Sequence, residues 1–258
     1  MLDLILSGCN GRMGRVLEAL CADQPDLHIA AGSDILGDNH RDFPVFSSPA
    51  ECTVPAQVVV DFSHPAALTG LLGYCVKRQL PVVLATTGYS EGQFLEIESA
   101  ARTIPVFRSA NFSLGINVLA KLARQAAQLL GEDFDIEIVE RHHNKKVDAP
   151  SGTALLLADA ISEALPYEPE YVYDRHSVRR PRDRREIGIA ALRGGTIAGD
   201  HEILFAGRDE VIELRHSAQS REVFASGALK AARFLAQCQA PGLYDMEDLL
   251  SWLREGEV

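Results

Sequence analysis

Apolar and polar positions alternate in a regular rhythm through roughly the first hundred residues. Apolar runs of strand length occur at residues 2–7, 27–31, 58–62, 82–85 and 106–109. Segments of helical length and spacing lie between them, at residues 12–22, 66–78 and 91–102, and Pro65, Pro81 and Pro105 fall at element boundaries. This alternation predicts βαβ units and hence a doubly wound parallel sheet covered by helices.

The rhythm changes beyond residue 117. The pattern there predicts a helix to residue 130, a strand at 136–140, a polar loop, and an apolar helix over about 153–165. Runs at 187–192, 202–205 and 211–215 are separated by glycine-containing turns and predict antiparallel strands, and helices near 226–239 and 245–254 close the chain. The predicted fold class is therefore α/β, a Rossmann-like doubly wound parallel sheet with a second α+β domain.

Composition and charge narrow the class of ligand. The chain is 47% hydrophobic and 24% charged, which is ordinary for a globular protein. Its formal net charge of -11 argues against a nucleic-acid partner, because that affinity comes largely from Lys and Arg that displace counterions. An anionic small molecule would therefore need a local basic site.

The cysteines and the N-terminus indicate the compartment. Five scattered cysteines without CxxC spacing are typical of reduced thiols in a cytosol. The N-terminal apolar run is too short and too soon followed by glycine for a signal peptide, and no run approaches the roughly 20 residues that span a bilayer. We expect a cytoplasmic protein that is neither exported nor embedded in a membrane.

The first predicted strand runs directly into a glycine-rich loop, GCNGRMG at residues 8–14. Gly8 permits a tight turn, Gly11 lets the backbone approach phosphates, and Gly14 lets the following helix pack closely on the sheet. Asp34 lies twenty residues beyond Gly14 and follows the second strand, where a carboxylate binds ribose hydroxyls and repels a 2′-phosphate. The order of these features predicts a dinucleotide site, and the lack of a basic residue immediately after Asp34 favours NADH.

Two further loops follow later strands, at the sheet edge where ligands bind in such folds. Either loop can line the nicotinamide, although both sequences also form ordinary turns and caps. They are Ala85-Thr86-Thr87-Gly88 and Ser109-Ala110-Asn111-Phe112.

A basic segment at residues 140–153, ERHHNKKVDAPSGT, precedes the apolar helix. Histidine is the usual proton carrier near neutral pH, so His142 or His143 beside a hydride acceptor could protonate the neighbouring carbon. We favour His142 as this acid, with Lys146 as its helper. Lys146 and His143 also offer charge-assisted hydrogen bonds to an anion.

The start of the apolar helix supplies further donors. Ser151 or Thr153 can cap it, and the backbone N–H groups of Gly152 and Thr153 at the helix N-terminus would then face an incoming carboxylate. The segment therefore predicts a site for a small dicarboxylate.

Two other interpretations of the charged residues carry less weight. Zinc is disfavoured because His142 and His143 are adjacent, no HExxH is present and the cysteines are remote, so we predict no metal. The arginine-rich run at 175–185 contains Pro181 and few apolar residues, which favours a surface loop over a role near an anionic ligand.

Together these motifs resemble the 4-hydroxy-tetrahydrodipicolinate reductase (dihydrodipicolinate reductase) family of the lysine and diaminopimelate pathway. The similarity spans nearly the whole chain and rests on GCNGRMG, VDFSHP, ATTG, SANFSLGIN and ERHHNKKVDAPSGTAL, with LRGG and GDH further along. It implies a homotetramer that reduces the cyclic imine derived from 4-hydroxy-tetrahydrodipicolinate with NAD(P)H, with hydride going to C4. It also implies a dinucleotide-binding domain at residues 1–113 completed by helices in 224–258, and a substrate-binding and oligomerisation domain at 114–223.

The resemblance further implies roles for individual residues. His142 would be the proton donor, assisted by Lys146. The two substrate carboxylates would be held by His143, Lys146, Ser151, Gly152 and Thr153. The cofactor would be bound by Gly8, Cys9, Asn10, Gly11, Arg12 and Met13 at the pyrophosphate, by Asp34 at the ribose, and by Ala85, Thr86, Thr87, Ser109, Ala110, Asn111 and Phe112 at the nicotinamide.

The sequence departs from the commoner family pattern at three places: Ala85 stands where glycine is frequent, Asn144 and Lys145 lie in the basic segment, and no arginine follows Asp34. The last departure leads us to predict a preference for NADH over NADPH. Two alternatives stay open at this point, namely a dehydrogenase of another small dicarboxylate and an NADH-binding redox sensor. The acidic charge and the lack of a helix-turn-helix pattern count against the sensor.

Overall fold

The computed structural model describes residues 1–37 and 41–256. The chain divides into two compact units: the first combines Met1–Leu114 with the chain from Glu222 onward, and the second is Gly115–Arg221. The range predicted for the first domain includes residues 38–40, 257 and 258, which lie outside the described residues.

The first unit opens with alternating strands and helices. Its elements are β1 (Leu2–Ser7), α1 (Arg12–Ala22), β2 (Leu27–Ser33), β3 (Val45–Phe46), β4 (Val58–Asp61), α2 (Leu68–Arg78), β5 (Val82–Leu84), α3 (Glu91–Ala101) and β6 (Pro105–Arg108). The second unit contains α4 (Leu114–Leu130) from its second residue onward, followed by β7 (Asp135–His142), α5 (Gly152–Ser162), β8 (Glu170–Val172), β9 (Glu186–Arg193), β10 (Gly199–Ala206) and β11 (Val211–Ala218). The chain then returns to the first unit with α6 (Glu222–Gln237), β12 (Gly242–Tyr244) and α7 (Met246–Glu255).

A seven-stranded parallel sheet in the order β12-β6-β5-β4-β1-β2-β3 forms the first unit, which confirms the predicted fold class. Both faces are apolar, as expected of a parallel sheet covered by helices. Leu4 and Leu6 of β1 pack in one core with residues of α1 and α6, while Ile5 packs in the other with residues of α2 and α3. The prediction missed β3 and β12, because edge strands of two and three residues are too short to show a periodicity.

A five-stranded mixed sheet in the order β11-β10-β7-β9-β8 forms the second unit. The prediction of antiparallel strands is correct for β10 and β11 but wrong for β9, which runs parallel to β7 and to β8. The long connection through α5 returns the chain to the same end of the sheet, and such a crossover produces a parallel neighbour.

The strand predicted at 136–140 is longer than expected, since β7 continues to His142. Its residues alternate strictly between partly exposed and buried positions. Ile136, Ile138, Glu140 and His142 share the buried face, so His142 ends a strand instead of lying in the predicted polar loop. Among residues 1–37 and 41–256, no helix is long and apolar enough to cross a membrane.

Two helical glycines provide a test of the packing in the first unit. A Cβ on Gly227 of α6 would overlap the Phe112 carbonyl oxygen, whereas a Cβ on Gly73 of α2 would meet nothing within 4 Å. We expect Gly227→Ala to lower the free energy of unfolding by about 1–3 kcal/mol through overpacking. Gly73→Ala is the matched control and should raise it by up to about 1 kcal/mol, because alanine is the better helix former. Urea unfolding midpoints measure both, and equal shifts in the same direction would contradict this account.

Candidate active site

The glycine loop forms the turn between β1 and α1. Gly8 has φ +78°, and a Cβ there would lie 2.7 Å from the Phe62 carbonyl oxygen. A Cβ on Gly14 would overlap the carbonyl oxygens of Cys9 and Gly8. Gly11 is the N-cap residue of α1 and is exposed, with only the Gly8 carbonyl near its Cβ position. Two glycines thus pack the turn, and the third leaves the N-terminus of α1 open to an anion.

Asp34 follows β2 and is hydrogen-bonded to the glycine loop. Its Oδ2 accepts from the Asn10 backbone N–H at 3.1 Å, and its Oδ1 accepts from Leu36 N–H at 3.1 Å. Asn10 in turn donates from Nδ2 to the Gly37 carbonyl. These bonds join the two segments that the sequence predicts to bind pyrophosphate and ribose.

A cleft of about 360 Å³ opens at this junction. Gly8, Asn10, Gly11 and Asp34 line it together with Ile35 and Leu36, which the sequence analysis did not select. Ile35 is 89% exposed and Leu36 is 70% exposed. Exposed apolar side chains beside a polar turn are typical of a surface that packs against a ligand. The cleft therefore fits the adenosine part of a dinucleotide.

The other residues predicted at the pyrophosphate differ in exposure. The Cys9 side chain is buried against Gly32, and burial raises the pKa of its thiol to about 11. Only the backbone of Cys9 can therefore contact a ligand. Arg12 is exposed and Met13 half-buried, both in the first turn of α1.

The loop after β5 is tied to a buried carboxyl group at the end of β4. Thr86 Oγ1 donates to Asp61 Oδ2 at 2.7 Å, Ala85 N–H donates to the Asp61 carbonyl at 2.9 Å, and Thr87 is exposed. Burial raises the pKa of Asp61, although hydrogen bonds from Ser63 and Thr86 act in the opposite direction. Asp61 was not among the predicted site residues, yet it anchors this loop at the carboxyl edge of the sheet.

The loop after β6 is held by its own side chains. Ser109 Oγ accepts from Asn111 N–H at 3.1 Å and donates to the Asn111 carbonyl, and Asn111 Oδ1 accepts from Ser113 N–H at 2.8 Å. Phe112 is buried against Phe107, so its side chain belongs to the core, while Ala110 is exposed. The loop edge that a ligand can reach is therefore formed by Ala110 and its neighbouring backbone.

A buried carboxylate lies near the C-terminal end of β7 in the second unit. Glu140 is 0% exposed, and its Oε2 lies 2.6 Å from His142 Nδ1. Arg193 donates to both carboxylate oxygens, from Nη1 at 2.7 Å and from Nη2 at 2.8 Å, and Ser151 N–H donates to Oε1 at 2.9 Å. Burial alone would raise the pKa of Glu140, but the hydrogen bonds from Arg193, His142 and Ser151 outweigh it and hold the pKa below its usual value. The carboxylate is therefore ionised at neutral pH.

A second buried histidine lies beside His142. The His201 ring makes an edge contact with the His142 ring, with centroids 5.2 Å apart, and His201 Nε2 lies 3.0 Å from Ser151 Oγ. Burial lowers the pKa of His201 to about 4, and the charge of His142 acts in the same direction. His201 is therefore neutral near pH 7.

The predicted substrate-binding residues lie around the start of α5. Ser151 is its N-cap residue, and its Oγ accepts from Ala154 N–H at 3.1 Å. Gly152 and Thr153 form the first turn.

The basic segment before this helix holds Lys146 by contacts of its own. Lys146 pairs with Asp148 at 2.9 Å, and Lys146 N–H donates to the His143 carbonyl in the preceding turn. The structure thus joins His142 to Ser151 through Glu140 and His201, while Asp148 is the partner of the Lys146 ammonium group.

Sequence reasoning missed Glu140, Arg193 and His201 as parts of this site. The register places Arg193 of β9 beside His142, and His201 of β10 opposite Glu140. A usable signal was present, since Glu140 and His142 continue the two-residue spacing of Ile136 and Ile138. Charged groups at buried positions of a strand need partners, and such positions indicate a functional site.

The arginine-rich segment at 175–185 has no helix or strand, as predicted. Arg175 pairs with Glu186 and Glu137, and Arg182 pairs with Asp135 and Glu137. These guanidinium groups thus bind the protein's own carboxylates. Within the described part of the chain, no group of three or more His, Cys, Asp or Glu side chains is arranged to hold a metal ion.

The chain matches two family models over nearly its full length. The model described as dihydrodipicolinate reductase, N-terminus, matches residues 2–112, and the model described as dihydrodipicolinate reductase, C-terminus, matches residues 115–250.

Known proteins are similar over the same length. The chain is 54% identical over 250 residues to the 4-hydroxy-tetrahydrodipicolinate reductase of Caldanaerobacter subterraneus subsp. tengcongensis, covering 97% of this chain and 98% of the other. It is 49% identical over 251 residues to the enzyme of that name from Clostridium tetani, with the same coverage of 97% and 98%.

Solved structures show the same fold. The dipicolinate-bound dihydrodipicolinate reductase of Paenisporosarcina sp. TG-14 superposes with a TM-score of 0.79 at 22% identity, covering 96% of this chain and 98% of the other. A probable dehydrogenase of Thermotoga maritima superposes with a TM-score of 0.63 at 14% identity, covering 98% and 93%. With both family models matched and a named reductase 54% identical, the chain belongs to the dihydrodipicolinate reductase family and is an oxidoreductase.

Proposed function

We propose that the protein reduces 4-hydroxy-tetrahydrodipicolinate, through its dehydrated cyclic imine, to tetrahydrodipicolinate in lysine and diaminopimelate biosynthesis. The observation that carries this proposal is the buried histidine His142 at the end of β7, which is paired with the ionised carboxylate of Glu140. The capped N-terminus of α5 follows β7 along the chain. An acid of this kind and a helix N-terminus are what protonation of an anionic substrate requires. The 54% identity to a reductase of that name supports the choice of substrate.

The first unit would bind the reduced nicotinamide dinucleotide. The N-terminus of α1 and the backbone of residues 8–13 would hold the pyrophosphate, and Asp34 would accept hydrogen bonds from the ribose. The loops at 85–87 and 109–112 would lie at the nicotinamide. When bound, this cofactor supplies a hydride to C4 of the substrate.

The second unit would bind the substrate and supply the proton. His143, Lys146, Ser151, Gly152 and Thr153 would hold the two carboxylates, through charge-assisted hydrogen bonds and the N–H groups of α5. His142, assisted by Lys146, would donate a proton to the carbon next to C4. That transfer converts the enamine left by hydride addition into the product.

Assembly and location are proposed on separate grounds. We propose a homotetramer formed through the second unit, because β11 is an edge strand with Val211 55% exposed and Ile212 36% exposed, and such edges favour pairing. A cytoplasmic location is supported by the five free cysteines, which suit a reducing compartment.

Steady-state oxidation of NADH at 340 nm, with enzymatically generated 4-hydroxy-tetrahydrodipicolinate, tests the reaction. We expect turnover by the intact protein and a loss of kcat of about 10²-fold or more in His142→Gln, because general acid catalysis contributes roughly that much. Lys146→Ala should lower kcat and raise KM, since the residue is proposed in both roles. Lys145→Ala is the matched control, being an exposed lysine next to Lys146, and should behave like the intact protein. Absence of turnover while NADH still binds would overturn the proposed function.

We propose that NADH is preferred over NADPH. Asp34 faces the cleft, and Arg41 pairs with Glu18 and donates to the Cys9 carbonyl at 3.2 Å and to Asn10 Oδ1. The positive charge of Arg41 is therefore already engaged by the protein, while the Asp34 carboxylate would repel a 2′-phosphate.

Fluorescence titration with each cofactor tests this preference. NADH should bind about tenfold tighter than NADPH, which corresponds to about 1.4 kcal/mol. The difference should shrink in Asp34→Asn, which keeps the shape of the side chain but loses its charge. Equal affinity in the intact protein would show that the preference is wrong.

The neutral state of His201 predicts a pH-dependent stability. The pKa of His201 is about 4 in the folded protein, against an ordinary value of 6.5, so between these values the unfolded chain binds the proton more tightly. The free energy of unfolding should therefore fall as the pH drops from about 6.5 to 4, by up to about 1.4 kcal/mol per pH unit from this one group. Urea unfolding from pH 7 to pH 5 should show a shallower dependence in His201→Gln. An unchanged slope would contradict the assignment.

A further inference from the structure

The environment of Glu140 determines which ring nitrogen of His142 can react. A carboxylate only accepts hydrogen bonds, so the 2.6 Å contact between Glu140 Oε2 and His142 Nδ1 requires a proton on Nδ1. The second proton of a charged imidazole ring then lies on Nε2. In the second unit, Nε2 faces Gly199, where an added Cβ would lie only 3.0 Å away. The reactive nitrogen is therefore Nε2, on the opposite side of the ring from Glu140.

Arg193 makes this arrangement possible. An isolated buried carboxylate is costly and would become protonated, but two parallel hydrogen bonds from a guanidinium group at 2.7 and 2.8 Å keep it charged. Arg193 Nη2 also donates to the Asp148 carbonyl, which ties the basic segment to the same group. Arg193 thus orients Glu140 relative to the strand end that carries His142.

The same carboxylate also orients the start of α5. Its Oε1 accepts from Ser151 N–H at 2.9 Å, and Ser151 is the N-cap residue of that helix. Four donor groups therefore converge on two oxygen atoms that have no access to solvent. The Glu140 side chain thus sets the position of His142 and of the N-terminus of α5, which follows it further along the chain.

We propose that Glu140, held by Arg193, is the positioning residue that keeps the Nδ1 proton of His142 in place, so that Nε2 is the nitrogen that takes up the second proton and, in the charged ring, donates it. The inference rests on the proposed function for what His142 does, but not for how its ring is held. The pair of Glu140 and His142 resembles, in physical terms, the pair of carboxylate and histidine in a serine protease triad, where the carboxylate orients the ring.

Glu140→Gln tests the proposal, because an amide replaces one acceptor by a donor. At either oxygen position the NH₂ group would face an N–H of Arg193, which cannot give up its proton. At the Oε1 position its second neighbour would be the Ser151 N–H, which cannot give up its proton either, whereas at the Oε2 position its second neighbour is His142. The NH₂ group should therefore occupy the position of Oε2, where His142 can respond by moving its proton from Nδ1 to Nε2. The variant should then carry the opposite neutral tautomer and lack the counterion of the charged ring.

Nitrogen-15 NMR of the imidazole side chains reports the tautomer directly. At a pH where His142 is neutral, Nδ1 of the intact protein should have the chemical shift of a protonated nitrogen, and Nδ1 of Glu140→Gln that of an unprotonated one.

The reductase assay gives a second readout. The kcat of Glu140→Gln should fall by about 10²-fold or more while its KM changes only a few-fold, because the lost interaction acts on proton transfer. Glu202→Gln is the matched control. Glu202 of β10 pairs with Arg141 of β7 at 2.8 Å, whereas Glu140 pairs with His142.

The outcomes separate this inference from the proposed function. An Nε2–H tautomer in the intact protein would overturn it, and this measurement does not require the variant to fold. A Glu140→Gln protein that keeps Nδ1 protonated, or that loses no more kcat than Glu202→Gln, would also overturn it. If the intact protein shows no reductase turnover, the proposed function fails, whereas the tautomer still decides the role of Glu140.

Discussion

A carboxylate without access to solvent holds together the C-terminal end of β7, the end of β9 and the start of α5 in the second unit. Glu140 accepts hydrogen bonds from Arg193, His142 and Ser151, which lie on β9, on β7 and at the start of α5. A buried charge is tolerated only when its partners are complete, and removal of one partner from such a pair is strongly destabilising. The demand for complete pairing therefore constrains three elements at once, and it places the histidine and the helix N-terminus in fixed positions relative to each other.

The first unit is constrained by a different requirement, the close approach of backbone at the turn between β1 and α1. Gly8 and Gly14 occupy positions where a side chain would meet neighbouring carbonyl groups. The N-terminus of α1 thereby remains open beside Asp34, and the anion-binding capacity follows from the backbone itself. The two units thus differ in the groups that they present at their predicted sites. The first unit presents backbone N–H groups, and the second presents a network of charged side chains.

Much of the first unit is predictable because its signals are local. The strand, glycine loop and helix at residues 2–22 are encoded within a short stretch, and the motif identifies both the fold and the ligand class. The same holds for the basic segment and the Ser151 cap. The short edge strands β3 and β12 lack such a signal, since their few residues are defined only by pairing with a neighbour already in the sheet. The direction of β9 likewise depends on where the connection through α5 returns the chain.

By itself the sequence determined the fold class, the family resemblance and the residue types that carry the proposed chemistry, because these depend on periodicity and on motifs read within one segment. Only the tertiary structure decided that Arg193 and His201 are the neighbours of His142, and that Asp61 anchors the loop after β5. Arg193 is more than fifty residues from Glu140, and hydrogen bonding across strands alone brings them together. Contacts of that kind depend on sheet order and register, which no local pattern of residues specifies.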